Sequence, residues 1–119
     1  MRPPTGRRWS VPRPALVRVR GRSMEPTLHD GDVLLVVHGL APRAGSLAVV
    51  RLPPDRTGMP RPVSVKRVTG PDPEAPERWW IDSDNAAEGV TSFDVGSLAT
   101  EHVLARVIGR LRRGPRPPA

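Results

Sequence analysis

Apolar residues come in short bursts along this chain, cut apart by proline, glycine and acidic turns. Residues 15–20 alternate apolar and basic positions at period two, which predicts a half-buried strand. Residues 32–38 are apolar without a break from 33 to 37, as expected of a central strand covered on both faces. Further strands are predicted over 46–52, 63–69 and 78–82, the last carrying the Trp79-Trp80 pair. Within 63–69, Ser64, Lys66 and Val68 share one face, and Val63, Val65 and Arg67 the other. In residues 101–111, Val103, Ala105 and Val107 alternate, and Ile108 and Gly109 favour a strand over a helix. Stretches 53–62 and 70–77 are proline-rich loops, and 83–97 is a long polar connection. The expectation is one compact, mostly antiparallel β-domain over 15–111, flanked by basic, proline-rich tails over 1–14 and 112–119.

Composition agrees with that picture. The chain has 119 residues, enough for one modest core, and its 16 prolines and 11 glycines argue against a helical bundle. Cysteine is absent, which excludes a disulfide framework and a thiolate zinc site. The net charge of +7 lies wholly in the ends, at Arg2, Arg7, Arg8, Arg13, Arg112, Arg113 and Arg116, while residues between balance. Such ends read as solvated tails, so no stable nucleic-acid partner is expected. No apolar run approaches the ~18–20 residues of a membrane span, and no secretion signal opens the chain. A cytoplasmic location follows as the expectation.

Candidate chemistry concentrates in the turn between the first two strands, residues 21–32. Ser23 sits there with Pro26 three residues on and Asp30-Gly31-Asp32 behind it, while Met24 and Leu28 can tuck inward as anchors. A serine hydroxyl is a weak nucleophile until a neighbouring base takes its proton. His29, His38 and His102 are conceivable bases, but no acid is marked out to orient any of them, as a triad requires. The other candidate is Lys66, the single lysine among 19 basic residues. At an ordinary pKa of ~10.4 about one lysine in 2,500 is neutral at pH 7. Burial can lower that pKa by ~2–3 units, because desolvation penalises the charged form. Ser64, two residues back on the same strand face, could hydrogen-bond the amine. The remaining reading of Lys66 is a lysine snorkelling from a strand edge.

Three segments carry a resemblance. Ser23-Met24-Glu25-Pro26-Thr27-Leu28, followed by Gly31-Asp32, closely resembles the nucleophile box of the type I signal peptidase family. Val65-Lys66-Arg67-Val68 is similar to that family's general-base box, and Asp82-Ser83-Asp84-Asn85 to its third box, usually Gly-Asp-Asn. Gly96 and Val103-Leu104-Ala105-Arg106-Val107 resemble the segment that follows. Together these span residues 21–107. The resemblance implies a β-fold of the signal peptidase and SOS-repressor C-terminal domain type, with Ser23 as nucleophile and Lys66 as general base.

Several positions depart from the pattern. Gly21 stands where some members place an oxyanion-hole hydroxyl, leaving the hole to the Ser23 N–H and one more donor; each such donor is worth ~3–4 kcal/mol. Ser83 replaces the usual glycine of the third box, whose Asp84-Asn85 core is kept. Gly89 falls where a lysine-orienting serine is common, and Thr91 and Phe93 where an Asp/Arg pair is, so that ion pair is expected to be missing.

The chain is most similar to the soluble nickel-type superoxide dismutase maturation proteases, which implies removal of an N-terminal leader from a precursor protein. Its expected substrate is an extended leader peptide added to the sheet edges at 15–22 and 63–66. The resemblance calls for no metal or cofactor; His29, Asp30 and Asp32 are the one conceivable metal cluster, and their carboxylates otherwise cap the turn. Self-cleavage of the SOS-repressor kind does not fit, because Ala44-Gly45 follows the serine. Two alternatives remain: a signal peptidase-like protease of secreted precursors, and a non-catalytic binding module that works through its basic tails.

Overall fold

The computed structural model describes residues 11–115. Seven strands form one curled, antiparallel sheet in the order β1-β2-β7-β3-β4-β5-β6. They are β1 (Arg13–Arg18), β2 (Val33–His38), β3 (Leu47–Val50), β4 (Ser64–Asp72), β5 (Ala75–Asp82), β6 (Leu98–Ala99) and β7 (Val103–Arg112). One helical turn, α1 (Ser92–Val95), and a 3-10 turn, Thr100–His102, complete the elements of the described residues. The antiparallel β-fold expected from the sequence is the fold observed.

Alternation decides which side chains go inside. Leu34 and Val36 of β2 are fully buried, while Val33, Leu35 and Val37 are only half-buried. The second strand is therefore covered well on one face, where its unbroken apolar run suggested both. The core has two parts. One gathers Val19, Met24, Leu28, Leu34, Val36, Val49, Val65 and Ala105, and the other Ala48, Val50, Leu52, Val68, Ile81, Leu98 and Val103. Strand β3 contributes to both, because Ala48 and Val50 face one cluster and Val49 the other. Met24 and Leu28, 1% and 4% exposed, fasten the residue 21–32 turn into the first cluster, as the sequence led us to expect.

Three boundaries differ from expectation. The proline-rich stretch 70–77 is mostly strand: β4 runs on to Asp72, and β5 resumes at Ala75 after a two-residue turn. Prolines are tolerated there because Pro71 and Pro73 sit at the irregular tip of the hairpin, beyond a register shift. The polar stretch 83–97 holds α1, closed by a capping box in which Thr91 and Asp94 each accept from the other's backbone. Finally, ordered structure reaches into both supposed tails. Strand β1 starts at Arg13, β7 runs to Arg112, and Gly114 is buried against the 21–32 turn. Residues 1–10 and 116–119 of those tails lie outside the described residues.

Candidate active site

The 21–32 turn is held by its own acids. The Gly21 N–H donates to Asp30 Oδ1 at 2.7 Å, and the His29 N–H to Asp32 Oδ2 at 2.9 Å. Asp32 is fully buried and also accepts from the Gly114 N–H at 2.7 Å, with Arg110 3.5 Å away. Both aspartates thus cap the turn, and no cluster of three metal-ligating side chains occurs among the described residues.

Lys66 comes from the neighbouring half of the sheet. Its β4 segment pairs with β3, with Ala48 opposite Lys66. The side chain is only 2% exposed. Desolvation pushes its pKa below the ordinary lysine value, partly opposed by the charges of Asp82 and Asp94. The lysine is therefore buried, and snorkelling does not describe it.

Gly89 shows how close Ser23 and Lys66 come. An ideal Cβ built on this glycine would lie 2.6 Å from Lys66 Nζ, 2.6 Å from Ser23 Cβ and 2.8 Å from Ser83 Oγ. Three side chains from three segments converge on one point, so Ser23 Cβ and Lys66 Nζ are no farther apart than twice the first distance. A real Cβ would overlap all three, and Gly89 also holds a φ of +88° that disfavours any other residue.

The sequence pointed to Ser64 as the hydroxyl on the amine, and the structure puts a different one there. Ser64 donates to the Pro62 carbonyl at 3.3 Å, while Lys66 Nζ donates to Ser83 Oγ at 2.9 Å. Alternation puts Ser64 on the lysine's face, but one residue pair along the strand carries its short side chain too far from the end of the long one. The signal that could have found Ser83 was present in the sequence: serine and glycine stand exchanged between positions 83 and 89 relative to the pattern the chain resembles.

The third box ties the two halves of the site together. The Asn85 N–H donates to the Ser23 carbonyl at 2.9 Å, and Asn85 Nδ2 to the Arg22 carbonyl at 3.0 Å. Asp84 accepts from Thr27 Oγ1 at 2.5 Å and from Arg67 through Nε at 3.1 Å and Nη2 at 2.6 Å. The Arg67 hydrogen bonds hold the Asp84 carboxyl below its ordinary pKa. The third box thus has an ion pair of its own with Arg67, while positions 91 and 93 make none, as expected. Thr91 caps α1, and Phe93, 81% exposed, meets the Trp80 ring edge-on at 5.2 Å.

Among the described residues the Ser23 N–H has no hydrogen-bond partner, whereas that of Gly21 is taken by Asp30. Of the two positions, Ser23 is the one able to donate to an oxyanion. Among the described residues, sheet edges are open at β1 and at the start of β4. β1 pairs only with β2, and β4 meets β5 only from Arg67 onward, leaving residues 64–66 unpaired on that side among the described residues. A groove beside the site is lined by Arg56, Arg61, Gly89, Val90, Phe93 and Asp94 among others.

The family model described as Peptidase S24-like matches residues 12–87, which include Ser23, Lys66 and the third box. This chain belongs to the Peptidase S24-like family. Comparison with curated proteins and with solved structures gives no match. A serine-peptidase type of site acting on a protein substrate is what membership supports. No helix among the described residues is long and apolar enough to cross a membrane.

Proposed function

We propose that this protein is a serine endopeptidase in which Lys66 takes the proton of the Ser23 hydroxyl as that oxygen attacks a peptide carbonyl. The observation that carries the reading is the convergence of Ser23, Lys66 and Ser83 on the space above Gly89, inside a Peptidase S24-like chain. Burial supplies what the base needs, a lysine amine whose neutral form is favoured. The tetrahedral oxygen is met by the Ser23 N–H, and Lys66 then returns its proton to the leaving amine.

The substrate enters as an extended strand between the open edges of β1 and of β4 at residues 64–66. The finer reading is that it is the N-terminal leader of a precursor protein, a nickel superoxide dismutase being the candidate suggested by the resemblance. Cytoplasmic action and independence of any cofactor belong to the same proposal.

Ser23→Ala and Lys66→Ala should each abolish cleavage of such a precursor without unfolding the chain, with mass spectrometry locating the cut. Lys66→Arg should be as inactive as alanine, because a guanidinium keeps its proton. Cleavage retained by Lys66→Arg would refute the general-base assignment. A binding module that acted through its basic ends would lose function when those ends are removed, whereas the peptidase keeps it.

A further inference from the structure

Lys66 has a second requirement besides being neutral. A neutral amine carries two N–H bonds and one lone pair, and it rotates freely about Cε–Nζ unless something holds it. Only the rotamer whose lone pair faces the Ser23 hydroxyl can accept the proton. We infer that Ser83 is the positioning residue of this site: its hydroxyl takes one Lys66 N–H and so aims the amine's lone pair at Ser23. This inference rests on the peptidase reading above.

Four observations support it. The contact is 2.9 Å long, between side chains that are 2% and 8% exposed, so water competes little for either partner. Ser83 is itself fixed, since its N–H donates to Asp82 Oδ1 at 2.8 Å. Its neighbours Asp84 and Asn85 grip the turn that carries Ser23, through Thr27 and through the Ser23 carbonyl. Ser83 is therefore set relative to nucleophile and base at once. Lastly, Gly89 leaves the space beside the hydroxyl clear, and any side chain there would push Ser83, Lys66 and Ser23 apart.

The same bond serves both protonation states. Ser83 accepts an N–H from the amine before proton transfer and from the ammonium after it. No donor has to rearrange during the step, which is where preorganised sites gain over water.

Orientation and pKa tuning can be told apart, because here they have opposite signs. A hydroxyl that accepts from Lys66 favours the charged form, so Ser83→Ala should lower the lysine titration midpoint and leave more neutral amine at a given pH. If only neutral amine mattered, that variant would be faster. If orientation matters, it is slower by about 100-fold in kcat with KM unchanged, the scale of a misplacement near 1 Å.

The test uses the full chain with isotope-labelled lysine. Lys66 is the only lysine in the sequence, so one Cε/Nζ signal reports it without assignment. Cleavage is followed on a randomised library of extended peptides, with products read by mass spectrometry. Ser83→Ala is expected to move the lysine signal, lower its midpoint and cut kcat; Ser83→Thr, which keeps the hydroxyl, restores most of kcat; Ser46→Ala, at a serine that donates to the Arg43 carbonyl away from the amine, changes neither. Wild-type kcat in Ser83→Ala, an unmoved lysine signal, or no recovery in Ser83→Thr would each overturn the assignment. Should wild type and Ser23→Ala prove equally unable to cleave, the peptidase reading fails. The lysine signal then still decides the contact: a shift in Ser83→Ala supports it and an identical titration refutes it.

Discussion

Gly89→Ala offers the sharpest single perturbation of the site. The added methyl would sit 2.6 Å from Lys66 Nζ and from Ser23 Cβ, and 2.8 Å from Ser83 Oγ. Carbon prefers neighbours at about 3.5–4.0 Å, so relief requires a displacement of about 1 Å. Lys66 Nζ and Ser83 Oγ are ends of side chains and could retreat, but Ser23 Cβ is attached to a turn pinned by Asn85, Asp30 and Asp32. The exposed loop carrying residue 89 is the part free to lift. Lifting it spares the core, so the stability cost is mainly that of a non-glycine residue at a φ of +88°, about 1–2 kcal/mol. The catalytic cost is larger, because a 1 Å error between reacting groups is worth about 100-fold in kcat. Urea denaturation and peptide cleavage on the same preparation measure both. The reasoning is refuted if Gly89→Ala cleaves at the wild-type rate, since the methyl would then fit where the geometry leaves no room.

Other expectations follow from the same contacts. Cleavage should increase with pH as Lys66 loses its proton, with a midpoint below that of an ordinary lysine, as burial pushes it down; a pH profile with no lysine-dependent limb would argue against it. Lys66→Met should stabilise the inactive fold at neutral pH, by about 1.4 kcal/mol for each pKa unit of depression. The folded pKa lies below the unfolded one, so the penalty of the charged lysine is complete below the folded pKa and vanishes as pH climbs to the unfolded value. Denaturant melts across that range should show the two proteins converging. Asp84→Ala should cost about 1 kcal/mol, because Arg67 is partly exposed, and it should lower kcat by freeing Thr27 and the nucleophile turn. The Asp84 contribution persists above the unfolded carboxylate pKa and is lost as pH falls through the lower folded one. Gly114→Ala would press a methyl into the Gly31 backbone; overpacking of about 1–3 kcal/mol should appear as a lower Tm.

How much of this was legible in the sequence depended on whether the cause was local. Alternation along residues 103–107 and the apolar run from 33 to 37 are set by neighbours in the chain, and the strands duly appear at β7 and β2. The pairing of Ser23 with Lys66 could be suggested because one turn and one lone lysine stood out against an arginine-rich background. The rest depended on contacts between distant segments. Gly114 looks like tail until Asp32, 82 residues away, accepts its N–H. The stretch 70–77 reads as loop by its prolines, yet the β4–β5 hairpin carries them at its irregular tip. Arg67 gave no sign of pairing with Asp84, because that partner arrives from beyond the end of β5, 17 residues on.

The serine at position 83 and the glycine at position 89 show what the site demands of its surroundings. What the chemistry needs is a hydroxyl at one point in space, beside the amine and away from the nucleophile's path. In this backbone only position 83 can supply it, because a side chain at 89 would fill the gap that Ser83 must reach across and would meet Ser23 as well. Here Ser83 supplies the oxygen, and Gly89 yields the volume. The pair therefore behaves as one unit, and single substitutions at either position should be more harmful than their distance from the scissile bond suggests. Ser83→Gly combined with Gly89→Ser tests this directly. With the residue 83 oxygen gone, a serine at 89 still meets Ser23 Cβ at 2.6 Å, so the double variant should recover the hydroxyl but not the geometry. Its kcat should stay near that of Ser83→Ala, and full recovery would show that the 83–89 loop shifts freely to accept either arrangement.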